Sequence, residues 1–558
     1  MFFRIKKSGP RKYLQLVENR WEGGRSKQRV LLTLGRADHL RKSGQLDALL
    51  ASGSRFSEKL LILSEYKKGT LPTLSSRSLG LAKIFEKLWE QTGCRKVLLK
   101  LLGERKFQFS VERVIFLEVL HRLVDPGSDR AGYRWKDDHA VEGVDDLQLH
   151  HAYRAMAWLG EAIDEGSTSL SDEHDAVSHF RFRCTKDRIE EALFDQRRDL
   201  FSSLGLVFFD TTSIYFEGEG GQDLGQRGFS KDHRPDLKQM IVGAVIDDQG
   251  APICCEMWPG NTADVTTLLP VVDKLRKRFG IENICVVADR GMIKSATLKK
   301  LDEQGISYIL GARMRSQNEV RHDVLSRAGR YKKVHRDASE GKAPSPLEVK
   351  DVRVEGRRYI VCRNAEQARK DVYDRQAILA ALEDRLSHGS VKSMVANRGY
   401  RKYLTTIAKG TVAIDRDKVE REERFDGKWV LRTNTDLDAT EVALQYKRLW
   451  TVEHMFRSVK SLLSTRPIYH KCDETIRGHV FCSFLALLLR HELQKRIEAN
   501  GLGHVEWAQL IGDLGRVRVV DVENGDQRFR LRTETPGVAG KVFQACGVAL
   551  PPTVEQIV

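Results

Sequence analysis

The chain has 558 residues, 41% of them apolar, enough for about two to four domains with real cores. Lysine and arginine number 93 against 77 acids, a net charge of +16 with a pI near 9.3, which favours polyanion partners over acidic-protein or neutral small-molecule chemistry. Nine cysteines without a Cys-x-x-Cys pair, several of them in apolar runs (Cys254, Cys255, Cys285, Cys482), read as reduced core residues rather than a disulfide framework, and the scattered histidines lack zinc-finger spacing. No secretory signal is read at Met-Phe-Phe-Arg-Ile-Lys-Lys. The longest apolar run, 480–489, is about half of a membrane span, so no membrane association and a cytoplasmic location are expected.

Residues 11–35 alternate around Gly23-Gly24, which predicts a β-hairpin, and residues 1–40 hold ten lysines and arginines against three acids, a local +7. Apolar residues at helical spacing over 81–102, 111–123, 147–163 and 189–204 predict an all-α module, broken at Pro126-Gly127 and Gly166-Ser167. No pair of helices carries the short glycine turn of a helix-turn-helix.

From residue 205 the pattern becomes β, β, β, α, β, α, β, an α/β arrangement. The strands are 206–216, 239–246, 252–258, 284–289 and 306–310. One helix is capped by Asp264 and stops at Gly280, with an irregularity expected at Pro270; a second runs from Ser295 to Gly305. Two continuous apolar runs end on an acid: Leu206-Val-Phe-Phe-Asp210 and Ile284-Cys-Val-Val-Ala-Asp289. A continuous apolar run implies a strand buried on both faces, where a terminal carboxylate needs a compensating cation. Strand, crossover helix, strand connections join parallel neighbours, so Asp210 and Asp289 can sit side by side.

The stretch from Asp289 to Glu453 is far longer than one connection needs. It has strand character at 347–354, 358–362 and 403–408, a charged helix near 376–386, and a hairpin at Asp426-Gly427 followed by Trp429, and is read as a mostly β insertion. Asp438 or Thr440 then caps a helix on which Tyr446, Trp450, Glu453, Arg457 and Lys460 fall within roughly 80° of one face. Leu449, Val452, Phe456, Val459 and Leu463 would dock that helix on a core. An aromatic, an acid and two cations on one ridge suit a phosphate backbone beside a metal; the alternative is a solvated amphipathic face with ion pairs such as Glu453 with Arg457.

Several segments resemble the DDE transposases of bacterial insertion sequences, in the cut-and-paste branch with a β-rich insertion and a Tyr/Arg/Glu/Lys signature helix. They are Phe209-Asp-Thr-Thr212, Gly228-Phe-Ser-Lys-Asp232 with Arg234-Pro-Asp236, Pro259-Gly-Asn-Thr262, Ala288-Asp-Arg-Gly291 and the helix from Tyr446 to Lys460. The signature's arginine slot falls at Leu449, with Arg448 one residue before it, an offset of about 100° round a helix.

The resemblance implies an RNase H-like mixed sheet flanked by helices, with a β-rich insertion and, before it, a β-hairpin and an α-helical module. It divides the chain into a basic N-terminal region (1–77), a helical module expected to bind DNA ends (78–204), a catalytic core (205–310 and 438–499), an insertion (311–437) and a tail (500–558). It further implies that Asp210, Asp289 and Glu453 hold two Mg²⁺ ions, Mn²⁺ being a substitute, for cleavage and strand transfer on double-stranded DNA. Tyr446, Arg448, Arg457, Lys460, Arg290, Lys231, Asn261 and Trp429 become candidate DNA contacts. Gly260-Asn261 and Arg290-Gly291 are equally readable as strand-to-helix turns, and Trp429 as a sheet tryptophan rather than one that holds an extruded base. The partners expected are the element's terminal inverted repeats and target DNA, with a homodimer on that DNA at the nucleoid. A catalytically silent DNA-binding relative and a nuclease that does not join strands are the competing readings.

Overall fold

The computed structural model describes residues 2–22, 25–54, 58–103, 105–163, 183–197, 205–281, 284–334, 347–387, 397–408 and 411–557. They form two compact units, one of Met1–Ile84, Asp137–Val141 and Val505–Val558, the other of Phe85–Lys136 and Glu142–His504.

In the first unit, Arg11–Glu22 and Arg25–Arg36 pair antiparallel as the alternation predicts, and Phe2–Ser8 adds a third strand. The expected turn at Gly23-Gly24 lies outside the described residues. A second sheet pairs Thr73–Ser78 with Arg518–Asn524, followed by Gln527–Arg532 and Val554–Ile557. Val520, Val522, Phe529, Leu531 and Val554 put one apolar face of it against Ile62. The segment 500–558, expected as a tail, therefore supplies most of a folded sheet, and the expected boundary at 77/78 falls inside a strand.

The second unit opens with helices Cys94–Leu102, Val111–Val124, Leu149–Gly160 and Thr185–Arg197. The single helical run expected over 81–102 is split at Gly93, whose φ of +82° ends the Gly80–Gln91 helix. The predicted stretches 164–182 and 198–204 lie outside the described residues, including the Gly166-Ser167 break and the end of the helix expected over 189–204. Val111–Val124 and Leu149–Gly160 pack on Asp473–Ala499, in which every residue from Val480 to Leu489 is buried, while Cys94–Leu102 and Thr185–Arg197 pack on each other. No described helix is long and apolar enough to cross a membrane.

Nine strands form one mixed sheet: β1 (Leu206–Tyr215), β2 (Gln239–Ile246), β3 (Pro252–Pro259), β4 (Cys285–Ala288), β5 (Ser307–Ala312), β6 (Lys332–Val334), β7 (Leu347–Val354), β8 (Arg357–Arg363) and β9 (Lys428–Thr433). The spatial order is β6-β7-β8-β9-β5-β4-β1-β2-β3. β1, β2 and β3 run antiparallel, whereas β4 pairs parallel with β1 and β5 parallel with β4. That five-stranded half is the RNase H-like core. Val207 and Phe209 face a core with helices Leu268–Phe279 and Ser295–Glu303, which leaves Phe208 and Asp210 to the opposite face. Pro270 causes no irregularity, because it stands in the first turn, where its missing N–H costs nothing.

The insertion does not stand apart from this sheet. β9 lies between β5 and β8, antiparallel to both, so β6 to β9 continue the five-stranded half edgewise. The helix expected near 376–386 is longer, Ala365–Ser387, and shares a small core with the hairpin Leu404–Ala408/Thr411–Ile414 through Leu382, Tyr403, Leu404 and Val419. Asp426-Gly427 turns a helix, Arg416–Glu423, into β9 rather than closing a hairpin. Gly427 has φ +61° and donates its N–H to Asp371 Oδ2 at 2.8 Å, while Asp426 accepts a forked pair from Arg375, both at 2.6 Å. Eight of the nine cysteines are buried and none is in a disulfide.

Candidate active site

β1 and β4 are adjacent and in register, Phe209 beside Ala288, so Asp210 and Asp289 are the next residues along two parallel strands. The chain diverges there: β1 continues to Tyr215, whereas β4 stops and Arg290–Met292 turns away. Both carboxylates line one cleft of about 410 Å³ together with Glu453, Thr211, Lys231, Arg457, Lys460 and Arg466. Burial pushes the Asp210 carboxyl up to about 6; Asp289 and Glu453 add to the rise, while Lys231 and the hydrogen bond from the Thr211 amide (2.7 Å) oppose it. The fold thus gathers three acids and four cationic side chains around one cleft.

The signature helix is not one helix. α1 (Ala439–Lys447) is capped by Asp438, which accepts from the Thr440 amide at 3.0 Å; Arg448 and Leu449 form a turn, and α2 (Trp450–Arg457) follows. Beyond it Ser458–Leu462 is a π-turn, with Leu463 N–H bonded to Ser458 O at 2.9 Å. The expected polar stripe therefore divides. Glu453, Arg457 and Lys460 line the cleft, and the Tyr446 hydroxyl donates to Asp289 Oδ1 at 3.0 Å. Trp450 is 57% exposed and packs edge-on against His454, away from the cleft lining. Burial and the neighbouring Asp289 push the Tyr446 phenol well up, so it stays a donor. Leu449, in the arginine slot, is buried, and the Arg448 guanidinium lies over the Phe208 ring at 5.5 Å.

Three contacts hold the near wall. Lys231 Nζ donates to Thr211 O (2.8 Å) and Thr211 Oγ1 (2.9 Å) and pairs with Asp264 Oδ2 at 3.0 Å, while Thr211 Oγ1 donates to Asp264 Oδ1 at 2.8 Å. Asp264 was expected as a helix cap; it instead starts a 3₁₀ turn and anchors Lys231. Lys460 Nζ donates to Asp232 Oδ1 at 2.6 Å, and Arg466 pairs with the same oxygen. Asp232, Asp264 and Arg466 are not among the site residues expected from the sequence. The segment Gly228-Phe-Ser-Lys-Asp232 carries part of the family resemblance, yet nothing in it points to a partner 228 positions away.

Other candidates stand outside the cleft lining. Arg290 is exposed, its carbonyl held by Arg313 Nε at 3.2 Å. Asn261 is exposed on a turn pressed against Gly228, where a Cβ would come within 1.9 Å of Gly260 O. Two of the sequence segments therefore meet in space. Trp429 sits half-buried within β9, opposite Cys362.

The cleft's donor set is all oxygen, as a hard divalent cation such as Mg²⁺ requires. Among the described residues two trios, neither of them in the cleft, bring potential ligand atoms within 4.8 Å of one another, and each already contains its own cation; the three cleft acids do not approach one another that closely. In Asp129, His470 and His479, the lone pair at His479 Nδ1 accepts from Arg122 at 2.9 Å. In Asp187, Glu190 and Glu256, the Lys274 ammonium bonds all three and the Lys186 ammonium bonds two. The residues of the cleft fit a metal; these two clusters do not.

Residues 202–489 match the family model "Transposase DDE domain", a span of more than half the chain that holds all three cleft acids, and residues 3–66 match "IS1634 family transposase, N-terminal domain". No curated protein matches the chain. A piggyBac transposase synaptic complex with hairpin DNA aligns over 78% of both chains at 9% identity and a TM-score of 0.36. A Mos1 transposase paired-end complex with left transposon end aligns over 37% of this chain and 60% of that one at 14% identity and a TM-score of 0.15. At these TM-scores neither likeness bears on function.

Proposed function

Since the chain belongs to the transposase DDE domain family, we propose that it cuts the ends of its own insertion sequence and joins them to target DNA in reactions that need Mg²⁺. The observation that carries this reading is the placement of Asp210, midway along β1, beside Asp289, just past the end of β4, in one cleft with Glu453. These three residues would hold two Mg²⁺ ions, which when bound stabilise charge on the attacking and leaving oxygens of an in-line displacement at phosphorus.

The rest falls to the chain's own residues. Tyr446 fixes the rotamer of Asp289, and the Thr211 amide that of Asp210, so the ligand oxygens are oriented before substrate arrives. Lys231, Arg457, Lys460 and Arg466 give the cleft four cations to receive backbone phosphates, which set the register of the duplex without reading its sequence. Water attacks first and frees a 3′-hydroxyl; that hydroxyl then attacks target DNA.

The test begins with the DNA flanking the gene. Short inverted repeats outside the coding region supply an end duplex, and purified protein with Mg²⁺ should nick it at the repeat boundary and join the freed end to a plasmid. Cutting without joining would establish a nuclease instead. Binding without cutting, by a correctly folded protein, would establish a silent relative.

A further inference from the structure

Beneath the cleft, one buried carboxylate holds two of its cations. The Asp232 side chain is 5% exposed and is not part of the lining, whereas Lys460 (12%) and Arg466 (28%) are. Both cations converge on Asp232 Oδ1, and Oδ2 is buried with no hydrogen-bond partner among the described residues. One negative charge set behind two positive ones leaves an excess of one, facing the cleft. Lysine has three donors and arginine five, so each keeps N–H groups for another acceptor.

The backbone is bent to bring these three residues together. Lys460 rides on the π-turn Ser458–Leu462. Among the described residues three that are not glycine have positive φ: Glu355, His233, next after Asp232 (φ +57°), and Ser464, two before Arg466 (φ +44°). Unfavoured conformations of this kind persist where the surroundings over-determine them. Ser230 Oγ accepts from the Asp232 amide at 3.3 Å and from the Arg234 amide at 3.1 Å, fixing the loop. The Arg466 and Arg234 guanidinium groups lie over the Tyr215 ring, at 5.7 and 5.6 Å.

We propose that Lys460 and Arg466 form a clamp for one backbone phosphate beside the catalytic acids, and that Asp232 is the positioning residue that sets the spacing of the two cations. The clamp rests on the reading of the chain as a DNA-cutting transposase. Without Asp232 the two cations repel and swing apart: the charge available to DNA rises while the geometry that places the reacting phosphate is lost.

This separates binding from cleavage. In single-turnover assays on a labelled end duplex, Asp232→Asn should bind as tightly as the parent or more tightly, since it carries one more net positive charge, and should cut at saturating DNA about tenfold or more slowly. Its melting temperature reports folding independently. Arg466→Ala, at a partly exposed side chain, supplies the second arm through duplexes in which single phosphates are replaced by neutral methylphosphonates. One position should slow the parent strongly and add nothing in Arg466→Ala. Parent-like cutting by Asp232→Asn, or additive effects at every phosphate, overturns the clamp and leaves the transposase reading intact. Failure of the parent itself to cut, with Asp210→Asn as the blank, overturns both.

Discussion

The Tyr446 hydroxyl and Asp289 Oδ1 stand 3.0 Å apart, which ties the acid at the end of β4 to the last turn of α1 just before the chain breaks and Glu453 enters the cleft. Position 311, on β5, makes room for this contact. A Cβ there would lie 2.5 Å from the Tyr446 hydroxyl and 3.1 Å from the Arg290 amide nitrogen. Tyr446→Phe should slow end cleavage about 10- to 100-fold, as loss of a hydrogen bond to a charged group implies, with duplex affinity little changed. Gly311→Ala should do the same by pushing the phenol aside. Equal cleavage by both variants and the parent in single-turnover assays would show that the contact does not orient Asp289.

The charged cluster around Lys274 is a stability element. Its ammonium bonds Asp187 (2.6 Å), Glu190 (3.4 Å) and Glu256, and Lys186 bonds Asp187 (2.8 Å) and the carbonyl of Cys255 (2.8 Å), so helices Thr185–Arg197 and Leu268–Phe279 are fastened to β3. Lys274→Met would leave three acids facing one lysine in a buried site, at a cost of about 3–5 kcal/mol. Chemical denaturation should show that loss. A variant within about 1 kcal/mol of the parent would mean that the acids reach water or take up protons freely.

Which features were legible in the sequence follows from how local their causes are. Asp210 and Asp289 stood out because strands covered on both faces are apolar over long runs, so a charge that closes such a run is conspicuous. Glu453 was visible from helical spacing, but the break at Arg448-Leu449 and the π-turn after Arg457 were not. Each is a slip of hydrogen bonding that changes which residues share a face, and so Trp450 left the ridge while Tyr446 reached Asp289. Strand character in the insertion was legible at 347–354, 358–362 and 403–408, but not at Lys332–Val334 or Thr411–Ile414. The place of the strands was not legible: β9 joins β5 through pairs such as Leu310 with Arg432, a contact that no local pattern encodes. The same holds for Thr73–Ser78, which pairs with Arg518–Asn524.

A buried acid pair predicts the pH dependence of stability. Burial, and next to it Asp129, push the Glu118 carboxyl up to about 8, with Arg122 pulling it down; Tyr133, His470, His479 and Cys482 surround the pair. Against burial, the hydrogen bond to His470 holds Asp129 low, so Glu118 carries the proton. A carboxyl raised in the fold contributes stability that is complete below its ordinary value of 4.5 and is lost as pH climbs towards 8. The free energy of unfolding should therefore fall across pH 5 to 8, by at most about 1.4 kcal/mol per pH unit from this group, and the melting temperature with it. Glu118→Gln should flatten the profile. An unchanged slope in that variant would place the titration elsewhere.

The basic three-stranded sheet at the N-terminus presents Trp21 at 79% exposure amid Arg20, Lys27 and Arg29. If it touches DNA, each phosphate it neutralises adds about 0.9 to the slope of log affinity against log salt. Deleting residues 1–36 should lower that slope by several units in salt titrations of end binding. An identical slope would remove this sheet from the DNA interface.

Metal-dependent cleavage by carboxylate variants is the most direct measurement. With Mg²⁺ and a labelled end duplex, Asp210→Asn, Asp289→Asn and Glu453→Gln should each bind the duplex with near-parent affinity and make no cut, because only the ligation of the ions is lost. Cutting at the parental rate by any one of the three, or cutting by the parent protein in the presence of a chelator, would contradict the assignment of this cleft as the catalytic centre.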